Sequence, residues 1–385
     1  MANREIYLDH LASTHADPAV LAAMQPWLKV AGNPHARNRA GWRAAKAIEM
    51  AQAEVAGLIG ATPGEIVFTS GATEANNLAL LGAVPDGWPV IVSAIEHPSV
   101  LNCLPVLEAR GHRNSLLPID GHGFIDLNCL ERMLAAGPAF VSVMAGNNEI
   151  GTRQPLAEIA ALCRRYRAIL HVDAAQALAF GPPDVAALGI DLLSLSGHKI
   201  YGPMGIGALY VRDGTQLSPM FFGGGQQAGR RPGTVPVAFA VGLGTACRLA
   251  GQRGAADAER MWTLRERLHD GLAAAIPGLR RNSPAERCLP GCLNISIPGA
   301  DAADLLLDLP DIALSTGAAC AGGGPSHVLA AIGLSDEEAH GSIRFGLGRA
   351  TTEAEIDTTV TELADAVKMA EVIRAVARTA ASGAF

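Results

Sequence analysis

The stretch Ser194-Leu195-Ser196-Gly197-His198-Lys199-Ile200-Tyr201-Gly202-Pro203 decides how the rest of this chain is read. An apolar, strand-like run over residues 191–195 leads into it, and a second, Ala208-Leu209-Tyr210-Val211, follows it. Lys199 therefore stands just past a strand end, among small residues. An isolated lysine in such a place is ordinarily a solvated surface group. What changes the reading lies upstream. His171-Val172-Asp173-Ala174-Ala175-Gln176 continues the apolar run Ala168-Ile169-Leu170, so Asp173 also falls where a buried strand ends. In open α/β sheets the carboxyl ends of the strands form the ligand crevice.

A desolvated lysine loses its proton readily and forms a Schiff base with an aldehyde. A carboxylate on the preceding strand end can hold a pyridine nitrogen protonated. Together they are the pair that pyridoxal 5'-phosphate requires. Earlier in the chain, Glu65-Ile66-Val67-Phe68-Thr69 reads as a strand, and Ser70-Gly71-Ala72-Thr73-Glu74 turns it into a helix whose N-terminus suits a phosphate. Val90-Ile91-Val92-Ser93 is another strand, running to Glu96-His97-Pro98-Ser99, and Phe140-Val141-Ser142-Val143-Met144 leads to Asn147-Asn148.

These segments resemble, in their order from Tyr7-Leu8-Asp9 to Arg349, the cysteine desulfurases of the NifS/IscS type within the class V aminotransferase family. The resemblance implies a fold-type-I α/β enzyme. Its large domain would span residues 15–255, with a mostly parallel central sheet flanked by helices. A smaller α+β domain would combine residues 1–14 and 256–385 and carry a cysteine loop. It implies further that Ala72 and Thr73 belong to the phosphate cradle, with Ser196 and His198. His97 would stack on the cofactor ring and shuttle protons. Gln176 would meet the phenolic oxygen, Asn148 the substrate or that oxygen, and Thr234 the phosphate of a neighbouring subunit in a homodimer. The implied reaction turns L-cysteine into L-alanine and passes sulfur to an iron–sulfur scaffold or a thiolation enzyme. Selenocysteine lyase and an aminotransferase that ignores Cys320 stay open; a non-enzymatic sulfur scaffold fits poorly with a chain that has both Lys199 and Asp173.

Two residues are read from their own surroundings. Cys320 lies in Ser315-Thr316-Gly317-Ala318-Ala319-Cys320-Ala321-Gly322-Gly323-Gly324-Pro325-Ser326, where nothing else can react and little can pack, so the segment reads as a mobile arm offering a nucleophilic thiol. Arg344 alternates with apolar Ile343 and Phe345, and its planar fork suits a substrate carboxylate. Arg349 reads as structural. The chain departs from the family in two places. Gly32-Asn33-Pro34-His35-Ala36-Arg37-Asn38 has asparagine where histidine is usual, and the cysteine loop is shorter by about two residues than in the long-loop group.

Composition sets outer limits. Of 385 residues, 49% are apolar and only 17% charged, which fits an interior parallel sheet, and the length favours two domains. A net charge of -7 leaves no nucleic-acid footprint. No cationic leader and no apolar run of membrane-spanning length is present, so a cytosolic location is expected. The seven scattered cysteines make a disulfide framework improbable there, and no metal site is expected at Cys288 and Cys292 without further ligands. The glycines at 202–207 and 223–225 lack the strand and helix order of a dinucleotide site.

Overall fold

The computed structural model describes residues 5–317 and 326–381, with side chains through residue 376. Thirteen strands are described: β1 (Ile6–Tyr7), β2 (Ile66–Thr69), β3 (Val90–Ser93), β4 (Asn114–Leu117), β5 (Phe140–Met144), β6 (Ile169–Asp173), β7 (Leu192–Ser196), β8 (Gly207–Val211), β9 (Arg280–Arg281), β10 (Cys292–Ser296), β11 (Ile312–Ala313), β12 (Ser315–Thr316) and β13 (Ser342–Gly346). The main sheet runs β2-β8-β7-β6-β5-β3-β4. Only β8 opposes its neighbours, so the other six strands end on one edge. Strands β2, β3 and β5 to β8 are buried along their whole length except at Ile169, as helices on both faces require. The fold is therefore α/β with a large, mostly parallel sheet.

A second sheet, β12-β13-β10-β9, is antiparallel, and β1 pairs in parallel with β11 beside it. Its own core gathers Leu268, Leu293, Ile295, Ile343, Phe345 and Leu363. One helix, Val237–Ala275, joins the two bodies. Its first half supplies Ala240, Leu243, Ala246 and Cys247 to the core of the large sheet. Its second half supplies Met261, Leu264, Leu268 and Leu272 to the core of the small one. The domain boundary expected at residue 255 therefore falls inside one continuous helix.

Local signals fare well at the helix starts. Asp17 caps Pro18–Leu28 by accepting from the Ala19 N–H at 2.9 Å. Thr352 and Glu355 form a reciprocal capping box ahead of Glu353–Ala381. No helix among the described residues is long and apolar enough to cross a membrane.

Candidate active site

A cavity of about 560 Å³ opens at the carboxyl edge of the main sheet. Strand register builds it: Met144 of β5 lies opposite Asp173 of β6, and Asp173 opposite Ser194 of β7. Side chains that follow these strand ends therefore converge. The lining includes Ala72, Thr73, His97, Asn148, Asp173, Gln176, Ser196, His198, Lys199 and Arg344, so ten of the twelve residues read from sequence meet in one place. Thr234 is exposed and does not line this cavity. Cys320 lies outside the described residues.

Asp173 is 5% exposed. Its Oδ2 accepts from Asn76 Nδ2 at 2.7 Å, and its Oδ1 from the Ala175 N–H at 2.9 Å. Lys199 is part-buried, and its Nζ donates to the carbonyls of Leu11 at 2.5 Å and Ala12 at 2.8 Å. Gln176 Nε2 reaches the same Leu11 carbonyl at 2.8 Å, so the N-terminal turn closes one wall. Burial first, and the nearby Lys199 second, push the His198 imidazole down to about 4, leaving it neutral at pH 7. His97 is likewise lowered, chiefly by burial, with Asp173 opposing.

The cradle is the start of the helix Ala72–Ala83, where no side chain caps the free backbone N–H groups. Gly71 ahead of it has φ +154° and ψ -178°, a region essentially reserved for glycine. An acid, Glu74, sits in the first turn. Burial raises its carboxyl pKa, but hydrogen bonds from Arg231 and Ser70 outweigh that and hold it low. Arg231 grips it at 2.8 and 3.2 Å, drawing its charge away from the cradle.

Arg344 is 2% exposed, and its Nη2 pairs with Asp9 at 2.8 Å and Ser315 Oγ at 3.0 Å. Its Nη1 donates to the Asn148 carbonyl at 3.1 Å, while Nε has no partner among the described residues. Arg349 is held by Asp257, Asp17 and the Tyr201 ring, away from the lining. The described residues on both sides of the segment that carries Cys320 are anchored at or next to this lining: Arg344 holds Ser315, Ser326 Oγ donates to Glu149 beside Asn148, and His327 Nε2 bonds the carbonyl of Glu96 beside His97 at 3.0 Å.

The donor set fits pyridoxal phosphate. It offers an uncapped helix N-terminus with hydroxyls for the phosphate, a buried carboxylate, an amine, and room for a ring. Sequence reading missed Asn76, Ser99 and Asp9. Asn76 could have been found by spacing, since it lies one helical turn after Ala72 on the same face.

The aminotransferase class-V family model matches residues 6–359. The chain belongs to the aminotransferase class-V family. Among curated relatives, the mitochondrial cysteine desulfurase of Drosophila melanogaster is 47% identical over 368 residues, 92% of this chain and 79% of that protein. A solved NifS-like protein superposes with TM-score 0.89 at 32% identity, covering 95% of this chain and 100% of that one. A structure titled SspA in complex with cysteine matches with TM-score 0.79 at 36% identity, over 89% of this chain and 98% of that one. These findings carry the resemblance read from sequence. They also correct the expected cytosolic location: the Drosophila relative and those of Arthroderma benhamiae and Schizosaccharomyces pombe are named as mitochondrial, an organellar setting. Compartment is set by targeting signals, so the charge and hydropathy of the body could not decide it.

Proposed function

We propose that this chain is a pyridoxal-phosphate-dependent cysteine desulfurase, converting L-cysteine to L-alanine and taking the sulfur as a persulfide on Cys320. The observation that carries the reading is the convergence of Lys199 and Asp173 on one cavity, with the described flanks of the Cys320 segment anchored at or next to its lining. The names of the relatives support it, and the cysteine-bound neighbour supports the substrate.

Bound in this cavity, the cofactor would supply an electron sink for the substrate's Cα. Lys199 would provide the amine for its aldehyde, and Asp173, held by Asn76 and Ala175, would keep its ring nitrogen protonated. The N–H groups at Ala72 and Thr73, with Ser196 and His198, would hold the phosphate. His97 would serve the ring, and Gln176 and Asn148 its phenolic oxygen and the substrate. Arg344 binds the substrate carboxylate through its fork. The Cys320 thiolate attacks the substrate sulfur, so an S–S bond forms as the C–S bond breaks. The electron pair of that bond stays with the substrate carbon, which leaves as alanine after protonation. An acceptor thiol then takes the sulfur onward. Residues 15–255 form the cofactor domain and the remainder the domain that carries Cys320, and two copies complete the site by placing Thr234 at the partner's phosphate.

Purified protein should absorb as a lysine-bound pyridoxal enzyme and release sulfide from L-cysteine. Lys199→Ala should lose both properties with its circular dichroism unchanged. Turnover at the wild-type rate in that variant would overturn the assignment.

A further inference from the structure

A line of hydrogen bonds runs along one side of the cavity from Asp173 to His97 through Asn76 of the cradle helix and the lining residue Ser99. Asn76 is fully buried and gives its two amide hydrogens to Asp173 Oδ2 at 2.7 Å and Ser99 Oγ at 2.8 Å. The inverted amide would set its oxygen against the carboxylate, so this orientation is fixed. Ser99 Oγ, having accepted from Asn76, has its own hydrogen for His97 Nδ1, 2.8 Å away. The Ser99 backbone N–H points to the same nitrogen at 3.1 Å. A backbone N–H can only donate, so Nδ1 is an acceptor and the proton of the neutral ring sits on Nε2.

We infer that Ser99 is a positioning residue that locks His97 as the neutral Nε2–H tautomer, so that the ring offers the cavity a hydrogen-bond donor and cannot take up a substrate proton there. A second ring proton would have to arrive at Nδ1, which two donors already close. The charged and titratable groups around the ring act in both directions: Asp173 favours protonation, while Lys199 and His327 oppose it, as does burial, the largest effect. Given the proposed cofactor chemistry, on which this consequence rests, the proton leaving the substrate's Cα does not go to His97. This differs from the shuttle role read from sequence.

Multiple-bond proton–nitrogen NMR on histidine-15N holoenzyme tests the lock, with His97 identified by the signals lost in His97→Gln. Between pH 7 and 8 the wild type should show a protonated Nε2 and a bare Nδ1. Ser99→Ala should raise the apparent pKa of His97 by up to about one unit, because the lost hydroxyl stabilised the neutral ring. Ser99→Thr, which restores the hydroxyl, should return it. A proton on Nδ1 in the wild type, or a Ser99→Ala titration superimposable on it, overturns the inference. If Ser99→Ala does not fold, the wild-type spectrum alone decides. Sulfide release is assayed separately, so failure of the desulfurase reading leaves the tautomer result standing and distinguishable.

Discussion

Glu96 carries a carboxyl with no exposure to water, and burial, aided by Asp173, pushes it up to about 8 against the hydrogen bonds from Ser93 and Met144. Its Oε2 has no partner among the described residues, a setting in which a full negative charge is costly. Because the folded value lies above the ordinary one, the stability it contributes is full below about pH 4.5 and is lost as pH rises through 8, by up to about 1.4 kcal/mol per unit. Glu96→Gln mimics the protonated form. It should match the wild type in urea denaturation at pH 4.5 and exceed it at pH 8.5; equal stability at both would show that the carboxyl is not held neutral. Asn76→Ala leaves a buried Asp173 oxygen without its donor and should cost roughly 1–3 kcal/mol by the same measurement. Lys199 and Asp173 were legible because charge at the end of an apolar strand is conspicuous. Ser99 was not, because a buried hydroxyl looks like any other polar residue until its partner His97 is placed against it, and Asn76 was marked by nothing but its helical spacing from Ala72.

The helix Val237–Ala275 runs straight through the domain boundary expected from sequence at residue 255. Gly254 packs there without breaking the helix: a Cβ would lie 2.7 Å from the Ala179 carbonyl oxygen. Gly251, one turn earlier, is exposed, and a Cβ would come no closer than 3.6 Å to Leu58. Gly251→Ala should therefore gain up to about 1 kcal/mol from reduced backbone entropy. Gly254→Ala should lose about 1–3 kcal/mol by overpacking. Thermal unfolding of the two variants that moved in the same direction would contradict this. At the cradle, Gly71→Ala forces an L side chain into glycine-only backbone and should weaken cofactor retention by about 1–3 kcal/mol, read as faster loss on dialysis. The strand–turn–helix of the cradle was plain in sequence because each local signal agreed with the next.

At the scale of the molecule, the parallel sheet and its crevice were legible from the spacing of apolar runs and the polar residues that end them. The convergence of Asp9, Ser315 and Arg344 was not, since it depends on the chain returning across more than 300 positions. Thr234 lies outside the cavity and is exposed, as a residue that serves a second copy would be. An apolar groove lined by Trp27, Leu28, Val30 and Phe239 lies beside it, and Phe222 is 93% exposed. We expect a dimer at micromolar concentration in sedimentation, and Thr234→Ala to weaken phosphate binding by roughly 1.5–3 kcal/mol at most; a fully active monomer would contradict the shared site. The measurement that bears most directly on the proposed reaction compares sulfide and alanine formed from L-cysteine by the wild type and by Cys320→Ser, with a dithiol present. Lys199, Asp173 and Arg344 are untouched by the substitution, so the variant should still bind cysteine and shift its absorbance. A hydroxyl is a far poorer nucleophile than a thiolate, so its sulfide release should fall almost to nothing. Undiminished sulfide from Cys320→Ser would contradict the account.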